Sequence, residues 1–156
     1  MARIIIGEDN EANCELLKKI LSRNGHRVFV AHNGRDVVEM AKRLQPQTEI
    51  ILLDIMMPIM DGFQTIAELQ RDWRTQSIPV IMITGSNDLK DVLRSKSAGV
   101  VGYVLKPFEP SDLLERIDRA LGKEIVQKDQ PLVKVFSAGD LSSKATSGTS
   151  DENQSE

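Results

Sequence analysis

Five short apolar runs alternate along the chain with segments whose apolar residues recur at helical spacing. The runs occupy residues 3–8, 27–31, 49–54, 79–83 and 101–105. Several are continuously apolar, which is typical of parallel strands covered on both faces. The stripe of Leu16, Leu17, Ile20 and Leu21 after the first run is typical of an amphipathic helix. The pattern predicts a strand followed by a helix, five times over.

Short connections between these elements predict an α/β fold, with a doubly wound, five-stranded parallel sheet and helices on both of its faces. The third helix is the hardest to delimit, and we expect it at roughly Phe63 to Asp72, with Trp73 packing at its end. A chain of 156 residues that is 40% hydrophobic can bury a core of this size. We therefore expect one domain over residues 1–122.

The character of the chain changes after Gly122. Residues 137–156 contain eight Ser or Thr residues, and Leu141 is their one large apolar side chain. Such a segment buries too little surface to offset its ordering entropy. We predict that residues 123–156 form a largely disordered tail, in which the more apolar run 131–136 either docks on the domain or begins a further element.

The charge distribution argues against a nucleic-acid partner. Residues 1–123 carry 17 acidic and 17 basic side chains, and the net charge of −3 comes from the remainder. Without a basic field, we expect no direct nucleic-acid binding. The absence of an apolar run of transmembrane length, a start unlike a signal peptide and a single cysteine, Cys14, favour a cytoplasmic protein without membrane contact.

Polar residues of complementary chemistry follow the predicted strands, at the sheet edge where open α/β folds bind ligands. They are Glu8, Asp9, Asp54, Thr84, Gly85 and Lys106. Three neighbouring carboxylates repel one another unless a cation intervenes, and Mg²⁺ suits carboxylates, waters and a phosphoryl oxygen. An ammonium, a hydroxyl and an unobstructed glycine add donors for an anion. The set predicts phosphoryl transfer.

Asp54 is the expected nucleophile because it ends the central strand. An ionised carboxylate is costly to bury, so we expect Asp54 to be exposed at the rim and flanked by the metal and Lys106. Each residue alone also has an ordinary interpretation as a helix cap, a loop acid or a strand residue. Their joint occurrence at strand ends favours the functional one. The two histidines, His26 and His32, belong to no motif and are expected at the surface.

The set of polar residues at the predicted strand ends resembles that of the receiver domain of two-component response regulators of the chemotaxis type. The resemblance covers roughly residues 2–122 and implies a flavodoxin-like sheet with strand order 2-1-3-4-5. Its motifs are the Glu8-Asp9 pair, the stretch DIMMPIMDG from Asp54, Thr84-Gly85, Ala98-Gly99, Gly102-Tyr103 and Lys106-Pro107-Phe108.

The resemblance implies that Asp54 accepts a phosphoryl group from the phosphohistidine of a sensor histidine kinase or histidine phosphotransfer protein. The implied Mg²⁺ ligands are Asp9, Asp54, the carbonyl of Met56 and, through water, Glu8. The implied phosphoryl ligands are Lys106, Thr84 and the backbone N–H groups of Met56 and Gly85. The protein would catalyse its own phosphorylation and slow dephosphorylation without being a turnover enzyme.

Tyr103 matches the aromatic switch of the family, whose ring turns inward as the Thr84 hydroxyl moves to the phosphate. The surface of the fourth helix, fifth strand and fifth helix would then bind a downstream protein, or a second copy in a phosphorylation-dependent homodimer. Glu8 departs mildly from the Asp that many members carry. Met56 and Ser86 occupy positions that tune hydrolysis, and since neither is a base we predict a persistent phosphoryl group.

Two alternatives differ in class. Phosphatases of the haloacid dehalogenase type also use Mg²⁺ and an Asp after a parallel strand, but they need a second Asp where this chain has Met56. A degenerate receiver could act as a phosphorylation-independent binding module, against which the intact residue set argues. No effector domain is recognisable after Gly122, so the chain is either a free-standing receiver or a fragment, and its polar end favours the former.

Overall fold

A computed structural model describes residues 1–44 and 46–123, so the predictions made for residues 124–156 lie outside the described residues. Strands and helices alternate strictly along the described chain. They are β1 (Arg3–Gly7), α1 (Glu11–Arg23), β2 (Arg27–Ala31), α2 (Gly34–Arg43), β3 (Ile50–Leu53), α3 (Gly62–Gln70), β4 (Val80–Thr84), α4 (Leu89–Ser97), β5 (Gly102–Leu105) and α5 (Pro110–Ala120).

The five strands form one parallel sheet in the order β2-β1-β3-β4-β5. This is the doubly wound, flavodoxin-like arrangement that the alternation and the family resemblance predict. The strand bounds agree with the apolar runs to within one residue. β3 ends at Leu53, so Asp54 lies just beyond it, where its N–H donates to the carbonyl of Gly7 at 2.9 Å.

Successive strand residues face opposite sides of the sheet, and each side has its own core. Ile4 and Ile6 pack with apolar residues of α1 and α5, whereas Ile5 packs with those of α2, α3 and α4. Cys14 of α1 is buried. Because both faces are covered, the strands carry apolar residues at nearly every position, which explains the continuous runs in the sequence.

Trp73 does not pack at a helix end, so that expectation is wrong. α3 ends at Gln70, and the side chain of Trp73 in the following loop is 79% exposed. The loop turns at Asp72, whose carboxylate accepts hydrogen bonds from the backbone and guanidinium of Arg74. This tight local turn leaves Trp73 directed away from the core.

The two histidines lie in different environments. His32 is exposed, as expected, but His26 is only 9% exposed, and its Nδ1 accepts a hydrogen bond from the N–H of Ala2 at 3.1 Å. The surface expectation for His26 is therefore wrong, because its ring is needed by a buried backbone donor. Within residues 1–44 and 46–123, no helix is long and apolar enough to cross a membrane.

Candidate functional site

The sheet register brings the acidic residues together. Gly7 at the end of β1 pairs with Leu53 at the end of β3, so Glu8 and Asp54 follow side by side. Asp9 completes the group, and one ligand oxygen from each of the three carboxylates lies within 4.8 Å of the others. The predicted convergence of these side chains is confirmed. Hard oxygen donors in this number fit a dication such as Mg²⁺.

Lys106 bridges two of these acids. The register of β4 and β5 pairs Thr84 with Leu105, which brings Lys106 to the same edge. Its Nζ lies 2.5 Å from Glu8 Oε1 and 2.9 Å from Asp54 Oδ2. The site therefore combines three carboxylates with one ammonium.

The pKa values of two members of this ion group are shifted from their ordinary values. Burial alone would lower the pKa of Lys106, but its hydrogen bonds to Glu8 and Asp54 outweigh that effect and raise it. The pKa of Glu8 is also raised, chiefly because burial disfavours its charged form and in spite of the hydrogen bond from Lys106. Lys106 is therefore held in its charged form as a counterion to the acids.

Asp54 is not exposed at the rim, which corrects the expectation. It is only 8% exposed, because the chain after it folds back and the N–H of Gly62 donates to the carbonyl of Ile55 at 2.7 Å. A Cβ on Gly62 would stand 2.5 Å from the carbonyl oxygen of Asp54, so only glycine permits this approach. The buried charge is tolerated because the ammonium of Lys106 reaches it.

The predicted hydrogen-bond donors lie around the same edge. The N–H of Met56 is 3.4 Å from Asp54 Oδ1, although the Met56 side chain is exposed. Thr84 ends β4 and is buried, and its hydroxyl oxygen accepts a hydrogen bond from the N–H of Ser86 at 3.3 Å. A Cβ on Gly85 would meet no other atom of residues 1–44 and 46–123 within 4 Å, so that side of its backbone is open among them.

Tyr103 already lies inside the protein without a phosphoryl group, whereas the family resemblance implies that its ring turns inward as the Thr84 hydroxyl moves to the phosphate. It is fully buried in β5, and its hydroxyl donates to the carbonyl of Ser86 at 2.7 Å. The sequence did not indicate the contacts that Gly62, Ser86 and Asn10 make at this edge, and Asn10 caps α1 by accepting the N–H of Asn13 at 2.9 Å. Its N–H also donates to Glu8 Oε2 at 3.2 Å and so orients that carboxylate. The glycine that ends the DIMMPIMDG stretch is the sequence signal that could have indicated the close approach at Asp54.

Fold, site geometry and sequence comparison agree on the class of protein. The family model of the response regulator receiver domain matches residues 4–118. The chain belongs to this family, as a chemotaxis-type receiver domain of two-component signalling.

Individual relatives refine the comparison. The chain is 36% identical to protein PilH of Pseudomonas aeruginosa over 121 residues, which are 78% of this chain and 98% of PilH. It is 37% identical to the DNA-binding dual master transcriptional regulator RpaA of Synechocystis, but the 121 aligned residues, 78% of this chain, span only 49% of RpaA. The resemblance to RpaA is therefore confined to about half of that protein.

A solved structure from the same family holds a metal. The receiver domain of sensor histidine kinase PA1611 from Pseudomonas aeruginosa, described with a magnesium ion coordinated in its active site cleft, superposes with a TM-score of 0.72. It is 27% identical, and the match covers 78% of this chain and 98% of that one. Chemotaxis protein CheY4 of Vibrio cholerae also superposes with a TM-score of 0.72, at 26% identity, over 78% of this chain and 99% of that one.

Proposed function

We propose that this protein is a phospho-accepting response regulator in which Asp54 takes a phosphoryl group from a phosphohistidine. The observation that carries the proposal is the contact of Lys106 Nζ with both Glu8 and Asp54 beside a third carboxylate, Asp9. An ammonium among clustered acids suits phosphoryl transfer to a carboxylate, since it can bind a phosphoryl oxygen beside the carboxylate nucleophile.

The step transfers one phosphoryl group. A carboxylate oxygen of Asp54 forms a bond to phosphorus while the phosphorus–nitrogen bond of the phosphohistidine breaks, and that electron pair returns to the imidazole nitrogen. Lys106 exchanges its contact with Asp54 for a phosphoryl oxygen. The Thr84 hydroxyl and the N–H groups of Met56 and Gly85 donate to the other oxygens.

The acidic residues would hold Mg²⁺. The proposed ligands are Asp9, Asp54, the carbonyl of Met56 and, through water, Glu8, and the magnesium in the PA1611 receiver domain supports a magnesium site at this edge. When bound, Mg²⁺ supplies positive charge that offsets the repulsion between carboxylates and phosphoryl oxygens. Removal of the ion with a chelator should therefore abolish phosphorylation.

The partners follow from this chemistry. A sensor histidine kinase or histidine phosphotransfer protein supplies the phosphoryl group, and a downstream protein binds the surface of α4, β5 and α5. Leu89 and Leu93, one helical turn apart on α4, are exposed and offer apolar contacts there.

The protein releases its phosphoryl group slowly, as neither Met56 nor Ser86 can act as a base, and does not turn over as a phosphatase.

Intact mass after incubation with acetyl phosphate and Mg²⁺ tests the proposal. We expect one phosphoryl adduct that is absent without Mg²⁺ and absent from the isosteric variant Asp54→Asn. Asp36→Asn, which changes an exposed aspartate in the first turn of α2, is the matched control and should be labelled like the wild type.

The same assay separates the alternatives. Folded protein without an adduct would contradict phosphoryl acceptance and support the binding module. Continuous release of phosphate from excess donor, with no lasting adduct, would support the phosphatase. After the donor is removed, the adduct should persist, and its rapid loss would refute the predicted role of Met56 and Ser86.

A further inference from the structure

Ser86 is the hydrogen-bonding centre of the loop between β4 and α4. Its N–H donates to the hydroxyl oxygen of Thr84 at 3.3 Å, and its carbonyl accepts the hydroxyl of Tyr103 at 2.7 Å. One peptide segment thus contacts the last residue of β4 and the buried ring of β5. Ser86 therefore links the two side chains through its own backbone.

A carboxylate on α4 fixes Ser86 in turn. The Ser86 hydroxyl donates to Asp91 Oδ2 at 2.6 Å, a short, charge-assisted bond. Ser86 Oγ also accepts the N–H of Asp88 at 3.3 Å, which tightens the loop around the same oxygen. Asp91 therefore holds the loop through a contact that does not involve Thr84 or Tyr103 directly.

The hydrogen-bond directions matter for Thr84. Its oxygen accepts from Ser86, so the Thr84 hydroxyl keeps its own proton for another acceptor. An acceptor such as a phosphoryl oxygen can take that proton while the Ser86–Thr84 hydrogen bond is kept. A donor positioned in advance has a smaller ordering cost when the anion arrives.

We propose that Asp91 is a positioning residue that acts through Ser86 to hold Thr84 ready as a donor and Tyr103 inside the protein. The inference rests on the proposed function for its effect on phosphorylation, but its conformational part concerns the unphosphorylated chain. Loss of the Ser86–Asp91 bond should loosen the loop and allow the ring of Tyr103 to leave its buried position.

Helix capping is the plain alternative role for Asp91, since it lies in the first turn of α4. That role is already filled by Asp88, whose side chain accepts the N–H of Lys90 at 3.0 Å. Asp88→Ala is therefore the matched control, because it removes the N-cap carboxylate of α4 but keeps the Ser86–Asp91 contact. Ser86→Thr is the conservative variant, because it retains a hydroxyl.

The test uses Tyr103 as a probe, since it is the chain's single tyrosine. The full chain labelled with 3-fluorotyrosine gives one ¹⁹F signal, recorded without phosphodonor. We expect a single solvent-protected resonance for the wild type, Ser86→Thr and Asp88→Ala. Ser86→Ala and Asp91→Ala should each add a resonance that shifts between H₂O and D₂O. In the double variant, the intensity of this added resonance should be no greater than in either single variant.

Two spectra would overturn the proposal. An Asp91→Ala spectrum identical to that of the wild type would remove the positioning role, and an equal change in Asp88→Ala would reduce it to helix capping.

In acetyl phosphate labelling, Ser86→Ala and Asp91→Ala should slow the initial rate by roughly fivefold, the equivalent of about one hydrogen bond. A wild type that takes no phosphate would refute the proposed function, while the spectra would still decide the conformational claim.

Discussion

At the scale of single residues, the molecule buries polar groups both with and without partners. Glu8 and Asp54 share the ammonium of Lys106, and the buried hydroxyl of Thr65 donates to the carbonyl of Asp61 at 2.7 Å. The hydroxyl of Thr48 is also buried, yet it finds no hydrogen-bond partner among the described residues. A buried polar group costs free energy when unpaired, so the two threonines should respond oppositely to the same substitution.

We predict that Thr48→Val raises the free energy of unfolding by about 1 kcal/mol and that Thr65→Val lowers it by about 1 kcal/mol. Valine has the shape of threonine without the hydroxyl, so the first change removes an unpaired group and the second a paired one. Urea denaturation monitored by circular dichroism measures both. A loss of stability in Thr48→Val would show that its hydroxyl is satisfied in solution.

At the scale of elements, the connection between β3 and α3 is conformationally demanding. Ile59 has φ of 70°, in the left-handed region that β-branched residues avoid, and the N–H of Met60 donates to the carbonyl of Pro58 at 2.7 Å. The loop is held at its end by a capping box at the start of α3, formed by Asp61 and Gln64. Strain is thus kept in the loop that follows the proposed phosphoryl acceptor.

Replacement of Ile59 should relieve this strain. Ile59→Asn is expected to raise the free energy of unfolding by about 1 kcal/mol, since asparagine tolerates the left-handed region and the Ile59 side chain is largely exposed. Ile59→Val, which keeps the β-branch, is the control and should change stability little. Thermal unfolding measures the difference, and equal melting temperatures for the two variants would contradict the strain at Ile59.

At the scale of the whole molecule, the two ends of the sheet carry different polar chemistry. The carboxyl ends of the strands hold the acids and Lys106, whereas His26 precedes β2 at the opposite end and accepts the N–H of Ala2. The pKa of His26 is lowered, first by burial and then by the positive charges of Lys123 and the chain's N-terminus. Folding thus favours the neutral imidazole.

The stability of the protein should therefore depend on pH through His26. Below its ordinary pKa of about 6.5, the unfolded chain binds a proton that the folded chain resists until its lower pKa is reached. The contribution of His26 is complete above that ordinary value and is lost as the pH falls towards the folded value. The free energy of unfolding of the wild type, measured by urea denaturation, should fall as the pH is lowered through this window.

One variant isolates the effect. His26→Asn keeps an acceptor for the Ala2 N–H but cannot titrate, so its stability should fall less steeply over the same pH range. If the free energy of unfolding depends on pH equally steeply in the wild type and His26→Asn, a group other than His26 causes the pH dependence.

The order of elements and the membership of the site were determined by the sequence alone. Continuous apolar runs separated by helical stripes leave one economical solution, a parallel sheet covered on both faces, since each element must bury its apolar surface against another. In such a sheet the carboxyl ends of the strands meet, so the acids and Lys106 were predictable as neighbours. This inference needs only strand boundaries, which local patterns supply.

Burial and partner choice were decided by the tertiary structure. The shielding of Asp54, the burial of His26 and the exposure of Trp73 all differ from the expectations, and the bonds from Ser86 to Tyr103 and Asp91 were not anticipated. Lys106 and Glu8 are 98 positions apart, and Tyr103 and Ser86 are 17 apart. Such contacts depend on loop paths and side-chain directions in the packed chain, which no local pattern of apolar and polar residues encodes.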